Sequence, residues 1–176
     1  MTDIVVTLIG PDRPGLVEAV AASVTAHGGN WLEGRMAQLA GKFAGILRVE
    51  VAPERAAELT SALAALEKNG LRLIAEIAGE APAPAGPSRT MDLEPLGLDR
   101  PGLVREVSGV LAARRVNVET LETDVYSAPM TADAMFRARA RVRVPGDVDA
   151  AELRRSLERL AGDLMVDIRL AEADKK

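Results

Sequence analysis

The sequence predicts an α+β chain of two domains, each an antiparallel sheet with helices on one face in the order βαββαβ. Three observations carry this. The segment Gly10-Pro-Asp-Arg-Pro-Gly-Leu-Val17 returns as Gly97-Leu-Asp-Arg-Pro-Gly-Leu-Val104. Seven of eight positions match, at an offset of 87 residues in a chain of 176, as one module used twice would give. Around each copy, period-two and helical apolar patterns alternate in the same order. Between the copies lies 79–88, Gly-Glu-Ala-Pro-Ala-Pro-Ala-Gly-Pro-Ser, a linker stiff in its Ala-Pro part. The expected domains are therefore 1–78 and 89–172. Units of roughly 80 residues are marginal alone, so docking or self-association is expected.

Ile4–Ile9 is apolar and β-branched and reads as the first strand. The Asp-Arg-Pro-Gly turn follows, and Pro14 suits the first turn of a helix, where a missing N–H has no partner to lose. Leu16, Val17, Val20 and Val24 recur at helical spacing until Gly28-Gly29 stops them near His27. Asn30 to about Leu39 and Phe43–Val51 read as two strands turned at Gly41. Pro53 and Glu54 open a second helix carrying Leu59, Leu63 and Leu66, with Asn69-Gly70 as its stop. Leu71–Ala78 is the last strand. The second half repeats this order. Strands are expected at Thr90–Leu96, Val116–Tyr126, Ala134–Val144 and Leu164–Leu170, and helices at Pro101–Arg114 and Ala150–Ala161. Asn30 and Asn117 are also 87 apart, so the equivalence runs on through the first helix. Two such split-βαβ units are ferredoxin-like, with one sheet face left free of helices.

The free faces differ. Arg137, Arg139, Arg141 and Arg143 alternate with small apolar residues, so all four guanidinium groups share one side of a strand. Asp92, Glu94, Glu122 and Asp124 on the adjacent strands are expected to neutralise them, giving a solvated face rather than a phosphate site. In the first domain, the opening strand is apolar at Val5 and Ile9 as well as at Ile4, Val6 and Leu8. That pattern predicts burial on both faces, the outer one under the other domain or another chain.

Composition excludes several functions. The net charge is −4, divided as −3 over residues 1–88 and −1 over 89–176, which argues against direct nucleic-acid binding. With no cysteine, disulfides, thiolate metal sites and a Cys nucleophile are excluded, and a reducing cytoplasm fits. No basic-then-apolar leader opens the sequence and no apolar run is long enough for a membrane helix. No His, Cys or carboxylate cluster has metal-ligand spacing. No phosphate-binding glycine loop, nucleophile elbow or acid/base pair is visible, so no enzyme activity, cofactor or catalytic residue is expected. His27 reads as a helix C-terminal partner and Trp31 as core or interface.

The chemistry left is at the repeated loop. It joins a strand to a helix N-terminus, where free N–H groups and a partial positive charge suit a carboxylate. Gly15 and Gly102 let a ligand approach the backbone. Asp12 and Asp99 can accept from an ammonium group or cap the helix, and Asn30 and Asn117 can donate and accept at once. Together these match the two charged ends of an amino acid. The competing reading is that the loop only shapes the fold.

At these residues the chain resembles the ACT domain family of small-molecule regulatory modules. Asp12-Arg-Pro-Gly-Leu-Val17 with Gly28-Gly-Asn30 carries the likeness in the first copy. Asp99-Arg-Pro-Gly-Leu-Val104 with Val116-Asn117-Val118 carries it in the second. Two tandem ACT domains with little else resemble the glycine cleavage system transcriptional repressor group. The resemblance implies amino-acid binding at domain interfaces by Asp12, Arg13, Pro14, Gly15, Leu16 and Asn30, and by Asp99, Arg100, Pro101, Gly102, Leu103 and Asn117. It further implies a regulatory protein, with glycine or serine as candidate ligands. A transcriptional regulator would be its protein partner, with no direct DNA or membrane contact, and the chain would be a homodimer. The formyltetrahydrofolate deformylase group shares the first domain but adds a catalytic domain missing here. The alternative function is a ligand-independent interaction module with degenerate pockets.

Overall fold

The computed structural model describes residues 1–79, 86–129 and 131–173. The chain divides into two compact units, Met1–Ala81 and Pro82–Lys176. Of the linker expected at 79–88, residues 80–85 lie outside the described residues.

The first unit runs β1 (Thr2–Pro11), α1 (Leu16–Ala26), β2 (Asn30–Leu39), β3 (Lys42–Val51), α2 (Ala56–Ala65) and β4 (Arg72–Ile77). Its sheet has the order β2-β3-β1-β4, antiparallel throughout. The second unit repeats this as β5 (Ser88–Leu98), α3 (Leu103–Ala112), β6 (Asn117–Ser127), β7 (Ala134–Pro145), α4 (Ala150–Leu164) and β8 (Val166–Glu172), in sheet order β6-β7-β5-β8. Both are the expected ferredoxin-like βαββαβ units. Short 3-10 turns flank α2 at Pro53–Arg55 and Leu66–Asn69.

Alternation along the strands builds each core. In the first unit Ile4, Val6 and Leu8 of β1 and Leu47, Val49 and Val51 of β3 point one way. They meet Val20 and Val24 of α1 and Leu59 and Leu63 of α2. In the second, Met91, Leu93, Val142 and Val144 meet Val107, Leu111, Leu153 and Leu157. Each such side chain contributes about 1.5–3 kcal/mol by leaving water.

Two sequence expectations change. The helices start later than Pro14 and Pro101: the first helical residues are Leu16 and Leu103. Gly15 (φ 87°) and Gly102 (φ 96°) hold the N-cap positions in the left-handed region, with no side-chain cap hydrogen bond, so Asp12 and Asp99 do not cap these helices. The covering expected over the outer face of β1 is not supplied by the first unit itself. Ile9, Ile46 and Ile74 on the outer sheet face are 46, 47 and 64% exposed.

Candidate functional site

The repeated loop leaves the end of β1 and β5 and feeds α1 and α3. Each loop is tied at its start to a neighbouring turn. The Asp12 N–H donates to the Gly41 carbonyl (3.0 Å), and the Asp99 N–H to Ala134 (2.8 Å). Arg13 donates through Nη2 to the Asn69 carbonyl at 2.5 Å, fastening the first loop to the turn before β4. The loop opens onto a cleft of about 570 Å³, within the usual range of small-molecule sites. Its wall includes Asp12 to Leu16 and the carboxylate of Glu18, and its floor is apolar through Val17, Ala21 and Phe43. Asp12, Arg13, Pro14 and Gly15 are exposed, while Leu16 is buried and anchors the helix.

The second loop is built the same way but is more occupied. Arg100, Pro101 and Gly102 are exposed and Leu103 is buried. Arg100 pairs with Glu106 at 3.1 Å. A Cβ placed at Gly102 would meet Glu106 Oε1 at 3.4 Å, whereas one at Gly15 meets nothing within 4 Å. The position equivalent to Glu106 in the first domain is Ala19. The second helix N-terminus therefore already faces a carboxylate of its own chain.

The structure brings Asp12 to Leu16 together, and Asp99 to Leu103, but separates each asparagine from its loop. Asn30 opens β2 opposite Glu50, and β2 then runs ten residues before the turn that holds Asp12. At about 3.3 Å per residue, that is roughly 30 Å. Asn117 stands likewise opposite Arg143, at the far end of β6 from Asp99. An amino acid touching a loop cannot touch the asparagine of the same domain. Equal sequence spacing in both copies concealed this, because it reports equivalence and not proximity.

Three of the four arginines on β7 are ion-paired, two by the expected Asp124 and Asp92 and the third by Glu119 rather than by Glu94 or Glu122. Arg137 binds Asp124 at 2.8 Å and Arg141 binds Asp92 at 3.0 Å, while Arg143 pairs with Glu119 at the β6 irregularity. These carboxylates raise Arg137 and Arg141 above the ordinary guanidinium range, chiefly by hydrogen bonding. Arg137 also lies over the Tyr126 ring, 5.3 Å from its centre. His27 is the C-cap of α1, its Nδ1 2.8 Å from the Ser23 carbonyl. Trp31 is partly buried against the first core. Among the described residues no group of three or more His, Cys, Asp or Glu could hold a metal ion, and no helix is long and apolar enough to cross a membrane.

A model of the ACT domain matches residues 2–75, spanning β1 to most of β4. The first unit is an ACT domain. The second unit repeats the strand order and the loop of the first. The whole chain is similar to a solved structure of an unknown protein from Galdieria sulphuraria, at 30% identity and a TM-score of 0.86 over 98% of this chain and 99% of that one. It also shares its tandem fold with a solved structure described as a "putative glycine cleavage system transcriptional repressor". That likeness has 20% identity and a TM-score of 0.70, covering 99% of this chain and 98% of the other. No curated protein matches the sequence.

Proposed function

We propose that this tandem ACT protein is a regulatory module that binds a small amino acid at the first loop and alters how a transcriptional regulator is held. The observation that carries this is the cleft at Asp12 to Leu16, which sets an anion-favouring helix N-terminus beside a carboxylate and an apolar floor. An amino acid presents the matching three groups. Its carboxylate faces the α1 N–H groups, its ammonium faces Asp12, and its side chain meets Val17, Ala21 and Phe43. The apolar floor supports small apolar amino acids, beside glycine and serine, as candidates. The loop at Asp99 to Leu103 is the second, weaker site, because Glu106 competes for its helix end. Asn30 and Asn117 join such a site when a second copy presents them, since within one domain they lie a strand's length away.

Regulation through a partner protein, without direct DNA contact, fits the net charge of −4 and the ion-paired Arg row. Thermal shift against the twenty amino acids tests the ligand reading. A ligand at 100 times its Kd adds about 2.7 kcal/mol to stability. Asp12→Ala should remove most of that shift and leave the unliganded stability nearly unchanged. If no amino acid at millimolar concentration shifts the transition, the sensor reading fails and the ligand-independent interaction module replaces it.

A further inference from the structure

The outer sheet face of the first domain carries exposed apolar side chains in its middle and opposite charges at its two ends. The ladder register defines the rows across β2, β3, β1 and β4. Arg35, Ile46, Thr7 and Ile74 form the central row. Ala37, Ala44, Ile9 and Arg72 form the row on one side. Glu33, Arg48, Val5 and Glu76 form the row on the other. Beyond Val5 lie Asp3 and Glu50, and beyond Ile9 lies Lys42. One end thus holds four carboxylates and a single guanidinium, Arg48, already bound to Asp3 at 3.2 Å. The centre and the other end hold three cations, Arg35, Arg72 and Lys42. Ile9, Ile46 and Ile74 stand exposed between them, a patch of the kind that marks a docking surface.

We propose that this face binds a second copy of itself, sheet on sheet, about a two-fold axis that crosses the strands. Only a surface with an apolar centre matches the isoleucines, and the face is balanced in charge, so it can meet its own image. The ends decide the orientation. An axis along the strands would lay acid on acid and base on base. An axis across them, through the row of Thr7, lays the acidic end of each copy over the basic end of the other; it also sets Arg35, at the β2 edge, against its own image, where Glu33 at 3.8 Å offsets it. Glu76 then faces the Arg72 side of the second copy, and Glu50 faces the Lys42 side. Four strands about 4.8 Å apart and about ten residues long give a footprint of roughly 600 Å² a side. That lies near the lower limit for a stable protein interface, so the dimer should dissociate on dilution. The surface is independent of the amino-acid cleft, and this proposal does not rest on the ligand reading.

Sedimentation of the full chain over a range of concentrations tests it. The unaltered chain should form a concentration-dependent dimer. Ile74→Asp, at a position 64% exposed, should keep the circular dichroism spectrum and weaken the dimer by at least about tenfold, because both copies bring an unpaired charge to the seam. Arg72→Glu and Glu76→Arg should each weaken it, through like charges. Mixed together, those two variants should recover a heterodimer near the original affinity. Arg72 and Glu76 are four residues apart on one strand, about 13 Å, so recovery on mixing requires contact between copies. A chain that stays monomeric at hundreds of micromolar overturns the proposal. So does a dimer indifferent to Ile74→Asp, or a mixture of the two charge variants that fails to associate.

Discussion

The repeated loop keeps two pairs of glycines for two different physical reasons. At Gly10 a Cβ would come within 2.9 Å of the Gly70 carbonyl, and at Gly97 it would press into Val166, so both positions need space beside the last strand. Gly15 stands in the open, and what it needs is the backbone conformation at φ 87°. The sequence could not separate the two, since either need is met by removing the side chain. Asparagine separates them, because it tolerates the left-handed region but fills space. Gly15→Asn should change stability by less than about 1 kcal/mol, whereas Gly10→Asn and Gly97→Asn should cost about 1–3 kcal/mol through overpacking. Urea unfolding midpoints at constant slope would decide. Among the charged residues, Arg115 donates to Asp147 at 2.5 Å and holds that carboxyl below the usual range. The folded value is the lower one, so the contribution is present at neutral pH and fades as pH falls through the folded value. Both side chains are well exposed, so the effect on stability is small and NMR is the better probe. Arg115→Gln should return the Asp147 titration to the ordinary carboxylate range.

At the scale of elements, strands and their order were legible because alternation reports them directly. The ends of helices were less so. Pro14 and Pro101 read as first-turn residues, yet each lies in the turn before a glycine cap, since the sequence pattern does not show backbone torsions. One cap is built from a side chain: Asp149 accepts from the Ala151 N–H at 2.9 Å and starts α4. Asp149→Ala should lower stability by about 0.5–2 kcal/mol, seen as a shift of the thermal midpoint. Asp149→Ser should restore most of it. The Arg row behaves oppositely. Its alternation reads in sequence as a solvated face, and the pairs of Arg137 and Arg141 are solvent-exposed and contribute little. Arg137→Ala or Arg141→Ala should cost no more than about 1 kcal/mol. Neither should create or remove salt-dependent binding to polyanions, which a titration at two ionic strengths would reveal.

For the whole molecule, duplication was readable from one octapeptide, but its consequences were not equal in the two halves. Divergence acted on what surrounds the loops. Where the first domain has Ala19, the second has Glu106, and a single carboxylate settles at the helix end that a ligand would use. An incoming carboxylate must displace it and also leave Arg100 without its partner. The first cleft also has a first-turn carboxylate, Glu18. Nothing comes within 4 Å of a Cβ at Gly15, however, and Arg13 is held by the Asn69 carbonyl instead, so one amino acid per chain should bind with the higher affinity. Calorimetry would give a stoichiometry near one per chain at concentrations just above that Kd. Glu106→Ala removes the competing charge while leaving Gly102, Leu103 and the helix start in place. That variant should take up a second equivalent of the same ligand, with the stoichiometry rising toward two. A wild-type chain that binds two equivalents with one affinity would show that Glu106 does not occlude the second site. A Glu106→Ala chain that still binds only one would show that the second loop is held closed by something other than this carboxylate.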